Sequence, residues 1–208
     1  MDYATIQNLA LSYTDRATDA ELLVLVDSMF RMVEAKINRY LLVQDMVVKT
    51  QINMDINTEF YGPPLSYSAI KNVFISPVGA DSKRNTLHYL APEQMNNASN
   101  NANTVFNEYY SIVQYQLQVY PLKDNTYNLN IWYFQNVTPL DSINTTNWCS
   151  LKNSDCYVSG MIAEMYAYAK DAEGFKLWDA RFKESLTSIA LQDDTVSWSG
   201  TPLIIQVG

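Results

Sequence analysis

The chain has 208 residues, enough for one sizeable hydrophobic core and short for two, and 48% of them are hydrophobic, as in an ordinary globular protein. Fourteen Lys and Arg against 22 Asp and Glu leave a net charge of -8 with no basic run, which excludes a surface that wraps nucleic acid by neutralising its phosphates. An acidic wall would instead repel a duplex and let it pass.

In chain order, residues 3–14 carry Ile6, Leu9, Ala10 and Tyr13 at helical spacing and predict a short first helix. Thr18 followed by Glu21 has the spacing of a capping box and opens a long helix over 19–42. Leu22, Val26, Met29, Val33, Ile37 and Tyr40 share one face of it, with Leu23, Leu25 and Phe30 widening that face. Arg31, Glu34, Lys36 and Arg39 are left for the solvated or interfacial side.

After Gln44 the hydrophobic period drops from 3.6 to 2, the mark of strands, with Ile52, Met54 and Ile56 on one face. Gly62-Pro63-Pro64 demands a turn. Residues 69–76 and 86–90 read as strands joined by the polar loop Gly79–Asn85, and Pro92 starts a short turn or helix. The polar run 96–103 has too little apolar area to order itself and reads as an exposed loop. Tyr109–Tyr120 and Tyr127–Gln135 then read as two long strands of one hairpin, turning at 123–126. On that reading Tyr110 and Tyr120 share a face of the first strand.

Residues 151–191 give the best helical signal, as two helices in series. Tyr157, Met161, Met165 and Tyr168 form the first stripe; Phe175, Trp178, Phe182, Leu186 and Ile189 form the second. Asp171 is placed to cap the second helix, and Gly174 to loosen the turn after it. The stripes read as core, packed against the helix 19–42. Past Leu191 the pattern stops. An extended apolar tail bearing Trp198, Leu203, Ile204, Ile205 and Val207 is expected either to dock on another subunit or to return to its own domain.

The chain offers little for catalysis. Its one histidine, His88, lies in a strand, and Asp124 and Asp141 are explained by turns. Asp193-Asp194 reads as a solvated pair rather than a cation site. Cys149 and Cys156 are too few for a zinc site, and buried free thiols account for them better than a disulfide does. Nucleotide-binding, hydrolase and zinc-protease motifs are missing, so no enzyme, cofactor or metal is expected. The start MDYATIQNLA lacks a basic lead and no segment has ~20 consecutive apolar residues, so neither a signal peptide nor a membrane contact is expected. What is abundant is aromatic surface: 15 Tyr, 7 Phe and 4 Trp, the residue types that suit interfaces. The sheet residues Tyr110, Tyr120, Tyr127 and Trp132 and the apolar tail are the candidate contact sites.

The order of these phrases resembles the head-to-tail adaptor (connector, or head-completion) proteins of tailed bacteriophages. The resemblance rests on Glu34-Ala35-Lys36-Ile37-Asn38-Arg39 at a helix end, on Leu87 to Met95, and on Tyr120-Pro121 with Leu129 to Phe134 and Pro139-Leu140. Its closing part is Asn147-Trp148, Asp155-x-Tyr157-x-x-Gly160, Tyr168, Asp171 and Trp178-x-x-x-Phe182. It implies a virion protein of the neck, made in the host cytoplasm. Such a protein forms a homo-oligomeric ring, commonly a dodecamer, under the portal protein. The ring extends the DNA channel without specific DNA binding and presents a platform to the tail or nozzle protein. The expected fold is α+β in a single domain, with a helical bundle core (1–43 and 148–191), an inserted antiparallel β-rich region (44–140) and an extended tail (192–208). A β-rich carbohydrate- or protein-binding module is the alternative, and its aromatics would converge on one groove.

Overall fold

The computed structural model describes residues 1–55, 57–62, 64, 66–79, 83–99, 108–123 and 126–198. In chain order they form α1 (Tyr3–Tyr13), α2 (Ala20–Tyr40), β1 (Val47–Asn53), β2 (Phe60–Tyr61), β3 (Tyr67–Pro77), β4 (Asn85–Thr86), β5 (His88–Tyr89) and α3 (Pro92–Ser99). There follow β6 (Tyr109–Val113), β7 (Gln116–Tyr120), β8 (Tyr127–Gln135), α4 (Trp148–Lys152), α5 (Ser154–Tyr168) and α6 (Ala172–Trp198). The fold is mixed α+β. Two compact units account for it: a helical one, up to Asp45 and again from Val137, and a β-rich one, Met46–Asn136.

In the helical unit α5 is buried on every side from Cys156 to Met165, where the spacing predicted one buried face, because α1, α2 and α6 pack around it. Gly160 is what lets them close in. A Cβ there would stand 2.9 Å from Val33 Cγ1 on α2 and 3.1 Å from Phe182 on α6. The α2 stripe buries Leu22, Val26, Met29, Phe30, Val33 and Ile37 as expected. Tyr40, placed on the stripe by spacing, departs from it and is 64% exposed at the last turn; Leu23 and Leu25, expected to widen the buried face, are exposed as well. The cap also differs from expectation. Asp19, not Thr18, ends the non-helical backbone, and its Oδ1 accepts from Leu22 N at 3.1 Å. A carboxylate is the better partner for amides at the positive end of the dipole.

Asp171 caps α6 as expected, its Oδ1 accepting from Glu173 N and Gly174 N. Gly174 has a different reason from the flexibility expected of it. A Cβ there would meet the Tyr166 ring at 2.6 Å, so the glycine makes room for that ring. The extended tail expected from residue 192 is helix as far as Trp198. The apolar stripe ends at Ile189, but nothing breaks the helix there, and Asp193 Oδ1 holds it by accepting from Gln44 N at 2.8 Å. Leu203, Ile204, Ile205 and Val207 lie outside the described residues.

In the β-rich unit two sheets, ordered β1-β8-β3-β4 and β2-β7-β6-β5, share one core. Val73, Ile75, Leu129 and Ile131 from the first meet Tyr61, Leu117 and Val119 from the second. Pairing is antiparallel except for β5 with β6, which run parallel. The expected strand 86–90 is two short strands in different sheets, because the chain crosses over at Leu87, whose side chain enters the core and whose N–H reaches Val73 O. The expected loop 96–103 is helical in its first residues, to Ser99; positions 100–103 lie outside the described residues.

The expected long hairpin does not form. Tyr109–Tyr120 folds back on itself at Gln114-Tyr115, so that β6 pairs with β7, and β8 instead lies between β1 and β3. Both turn residues adopt left-handed backbone, φ 49° and 62°, as a two-residue hairpin turn requires. Neither is the Asn or Gly that normally marks such a turn, so the alternating pattern runs through it unbroken.

Candidate assembly surfaces

The turn at 114–115 re-sorts the sheet aromatics. In one continuous strand Tyr110 and Tyr120 would share a face; with two residues in the turn, Tyr110 pairs with Val119 and faces the core beside it. Tyr120, paired with Tyr109, lies on the outer side of that sheet. Tyr127 packs against the core from β8. Trp132 lies on the opposite face of β8, edge-on to Phe74 with ring centroids 6.0 Å apart, and its indole N–H is buried without a partner among the described residues. The four therefore do not gather on one surface. The convergent groove that a carbohydrate-binding module needs is not formed by them. Tyr115, at the hairpin tip and 81% exposed, is the aromatic that the alternation hid.

Of the two candidate acids at turns, Asp124 lies outside the described residues and Asp141 takes a structural role. Asp141 Oδ1 accepts from Ile143 N and Asn144 N, and these bonds hold its carboxyl below the usual range. His88 is exposed on its edge strand. Cys149 and Cys156 are free and buried, and their mutual hydrogen bond, with burial second, pushes the Cys156 thiol up. Among the described residues there is no cluster of His, Cys, Asp or Glu able to hold a metal ion, and no helix long and apolar enough to cross a membrane.

The acid that the sequence reading missed is Glu34. Left by its charge for the solvated or interfacial side, it is 3% exposed within the fold of its own chain. The spacing contains the signal: Phe30, Val33, Glu34 and Ile37 are at i, i+3, i+4 and i+7, which puts the carboxylate in the middle of the apolar face. Its Oε1 accepts from Leu140 N at 2.6 Å and lies 3.5 Å from the Tyr157 hydroxyl; its Oε2 lies 2.9 Å from Arg31 Nη1. Tyr157 in turn accepts from Asn147 Nδ2 at 2.7 Å. Three segments, α2, the loop 137–147 and α5, are tied through this one side chain. Burial pushes the Glu34 carboxyl above its ordinary value, while Leu140 N–H and Arg31 act against that rise.

Open surfaces of the helical unit are of two kinds. One is a groove of about 660 Å³ where α1, α5 and α6 meet, with Leu9 and Val158 in its wall, Tyr13 edge-on to Trp178 at 5.4 Å and the Arg181 guanidinium 4.5 Å over the Trp178 ring. A second, of about 510 Å³, lies between α2 and α6 over Phe175, Phe182 and Leu186. The other kind is apolar residue left in water on α2, where Val24 is 80% and Met32 50% exposed. Interfaces use such half-apolar grooves and knobs.

The helical unit thus offers grooves and apolar knobs, and the β-rich unit an exposed aromatic tip, surfaces of the kind that interfaces use. The chain matches the family model described as SU10 adaptor protein over residues 1–206, and it belongs to that family, one of phage head-to-tail adaptors. It is thus a bacteriophage adaptor and structural protein. No curated protein sequence matches it.

Proposed function

We propose that the chain forms a homo-oligomeric ring, a dodecamer, beneath the portal. There it extends the DNA channel, which genomic DNA traverses without specific binding, and gives the tail or nozzle protein its platform. It works in the virion neck after assembly in the host cytoplasm. The observation that carries this reading is the match of nearly the whole chain to an adaptor family. The net charge of -8 supports it, since a channel that repels DNA does not trap it.

Within that role the helical unit is assigned the ring-forming contacts and the β-rich unit the platform. Trp198, Leu203, Ile204, Ile205 and Val207 are assigned to the portal or a neighbouring subunit. Tyr120 and Trp132, now joined by Tyr115, are assigned to the tail or nozzle, while Tyr110 and Tyr127 serve the core. Mixing the purified chain with portal rings, followed by light scattering and negative-stain imaging, tests the proposal. A ring seated on the portal is the expected result; a chain that stays monomeric and never joins the portal overturns it.

A further inference from the structure

A closed ring built from one chain needs a heterologous contact, in which the patch each copy offers differs from the patch it receives. Two patches on the helical unit meet that need, and α2 contributes to both. The first is the groove between the C-terminal half of α2 and α6. Its floor is apolar, Phe175, Phe182 and Leu186, and its rim carries Lys36, Arg39 and Lys183 beside the exposed ring of Tyr40. One acid, Asp179, is among its lining residues, and that carboxylate is held 2.7 Å from Lys183. Lys36 reaches Glu164 at 2.5 Å. Arg39 spends its Nε on Ala35 O, and no carboxylate among the described residues pairs with it. Lys36 and Lys183 are thus each balanced by an acid, and Arg39 is the rim cation left to meet a partner beside the apolar floor.

The second patch is at the other end of the same helix. Val24 is 80% exposed, and the residues one turn to either side of it, Ala20, Glu21, Asp27 and Ser28, are exposed as well. Leu25, 39% exposed, adds to the apolar area. An isopropyl group thus stands in water between two carboxylates. Knob and groove are opposite in charge and alike in apolar centre. They cannot meet within one chain, because the helix that bears both holds Val24 and Arg39 about 22 Å apart at 1.5 Å per residue.

We propose that the Val24 knob of one copy, flanked by Glu21 and Asp27, seats in the α2–α6 groove of the next copy. Its carboxylates face Arg39, so α2 supplies charge to both sides of the repeating contact. The proposal rests on the ring reading above. A contact of this kind weakens as salt screens its rim charges, and steering by those charges sets its on-rate.

The test uses the full chain, alone and on portal rings, with the assembly midpoint read by light scattering and imaging and folding read by thermal melting. Arg39→Glu and Glu21→Arg alter exposed positions but set the wrong charge against each end of the α2 dipole, so each is expected to stay folded and to melt slightly below the wild type. Each should raise the assembly midpoint about tenfold or more by setting like charges against each other. An equimolar mixture of the two chains should return to the wild-type midpoint, because alternating copies set opposite charges together at every junction. Two variants that assemble like the wild type, or a mixture no better than its components, overturn this contact and leave the ring reading standing. A wild-type chain that is monomeric both alone and on the portal removes both. A loss of retention of a short DNA duplex by Arg39→Glu, with assembly unchanged, would assign the groove to nucleic acid and also overturn the contact.

Discussion

Glu34 sits where an apolar side chain would be expected, and its cost and its use are separable. Removing the carboxylate altogether, as in Glu34→Ala, leaves the buried Leu140 N–H without an acceptor and costs about 2 kcal/mol in urea unfolding. Glu34→Gln keeps an acceptor for that N–H but cannot ionise. The folded carboxyl is raised above its unfolded value of 4.5, so the folded state binds its proton more tightly than the unfolded state does. The contribution to stability therefore grows as pH falls through the raised folded value, is complete below 4.5, and is lost at higher pH. Urea titrations between pH 7 and 4 should show wild type gaining on Glu34→Gln as pH falls; parallel curves would show that the group is not shifted. Gly160 is the second such point. Gly160→Ala places a methyl group 2.9 Å from Val33 Cγ1 and should cost about 1–3 kcal/mol, read by the same titration. Both residues were visible in the sequence, one as a charge on an apolar stripe and one as a glycine inside a helix. In the first case the apolar spacing outweighs the charge.

Elements followed the sequence where periodicity was long and caps were strong. The stripe of α2, the two helices α5 and α6 and the Asp171 cap all emerge from residue spacing. The β-rich unit was less legible because its turns lack the usual residues. Gln114-Tyr115 turns the chain with two side chains in left-handed backbone, and Leu87 switches sheets inside an apolar run. The first of these is testable. Left-handed backbone costs L-residues roughly 1–2 kcal/mol each, so Gln114→Asn combined with Tyr115→Gly should stabilise the protein by about 1 kcal/mol or more and raise the melting temperature by several degrees. If the exposed Tyr115 ring meets the tail or nozzle, the same variant should attach fewer tails in a reconstitution assay while melting higher. Stability and attachment moving together in either direction would instead make the tyrosine a structural residue. Strained turns kept at tips are where a binding role is expected.

At the scale of the whole molecule, the switch of hydrophobic period near residue 44 and its reversal after 140 announced a β region set between helices. The structure brings its two ends together: β1 leaves and β8 returns as neighbours, with Val47 opposite Phe134. In an antiparallel pair such residues lie about 5 Å apart, a gap that a few residues of linker span. The helical unit keeps its own cross-links when the insert is absent. Asn38 Oδ1 still accepts from Val137 N, and Glu34 still accepts from Leu140 N. Replacing 47–135 with a short Gly-Ser linker should therefore leave a helical protein with a single cooperative melt, and residues 46–136 expressed alone should melt cooperatively with a β-type spectrum. A non-cooperative melt in either piece would mean that the two units fold only together. If both fold, they divide the adaptor's work physically. The helical piece, retaining α2 and α6, should still assemble and still respond to Arg39→Glu, and it should no longer hold a tail.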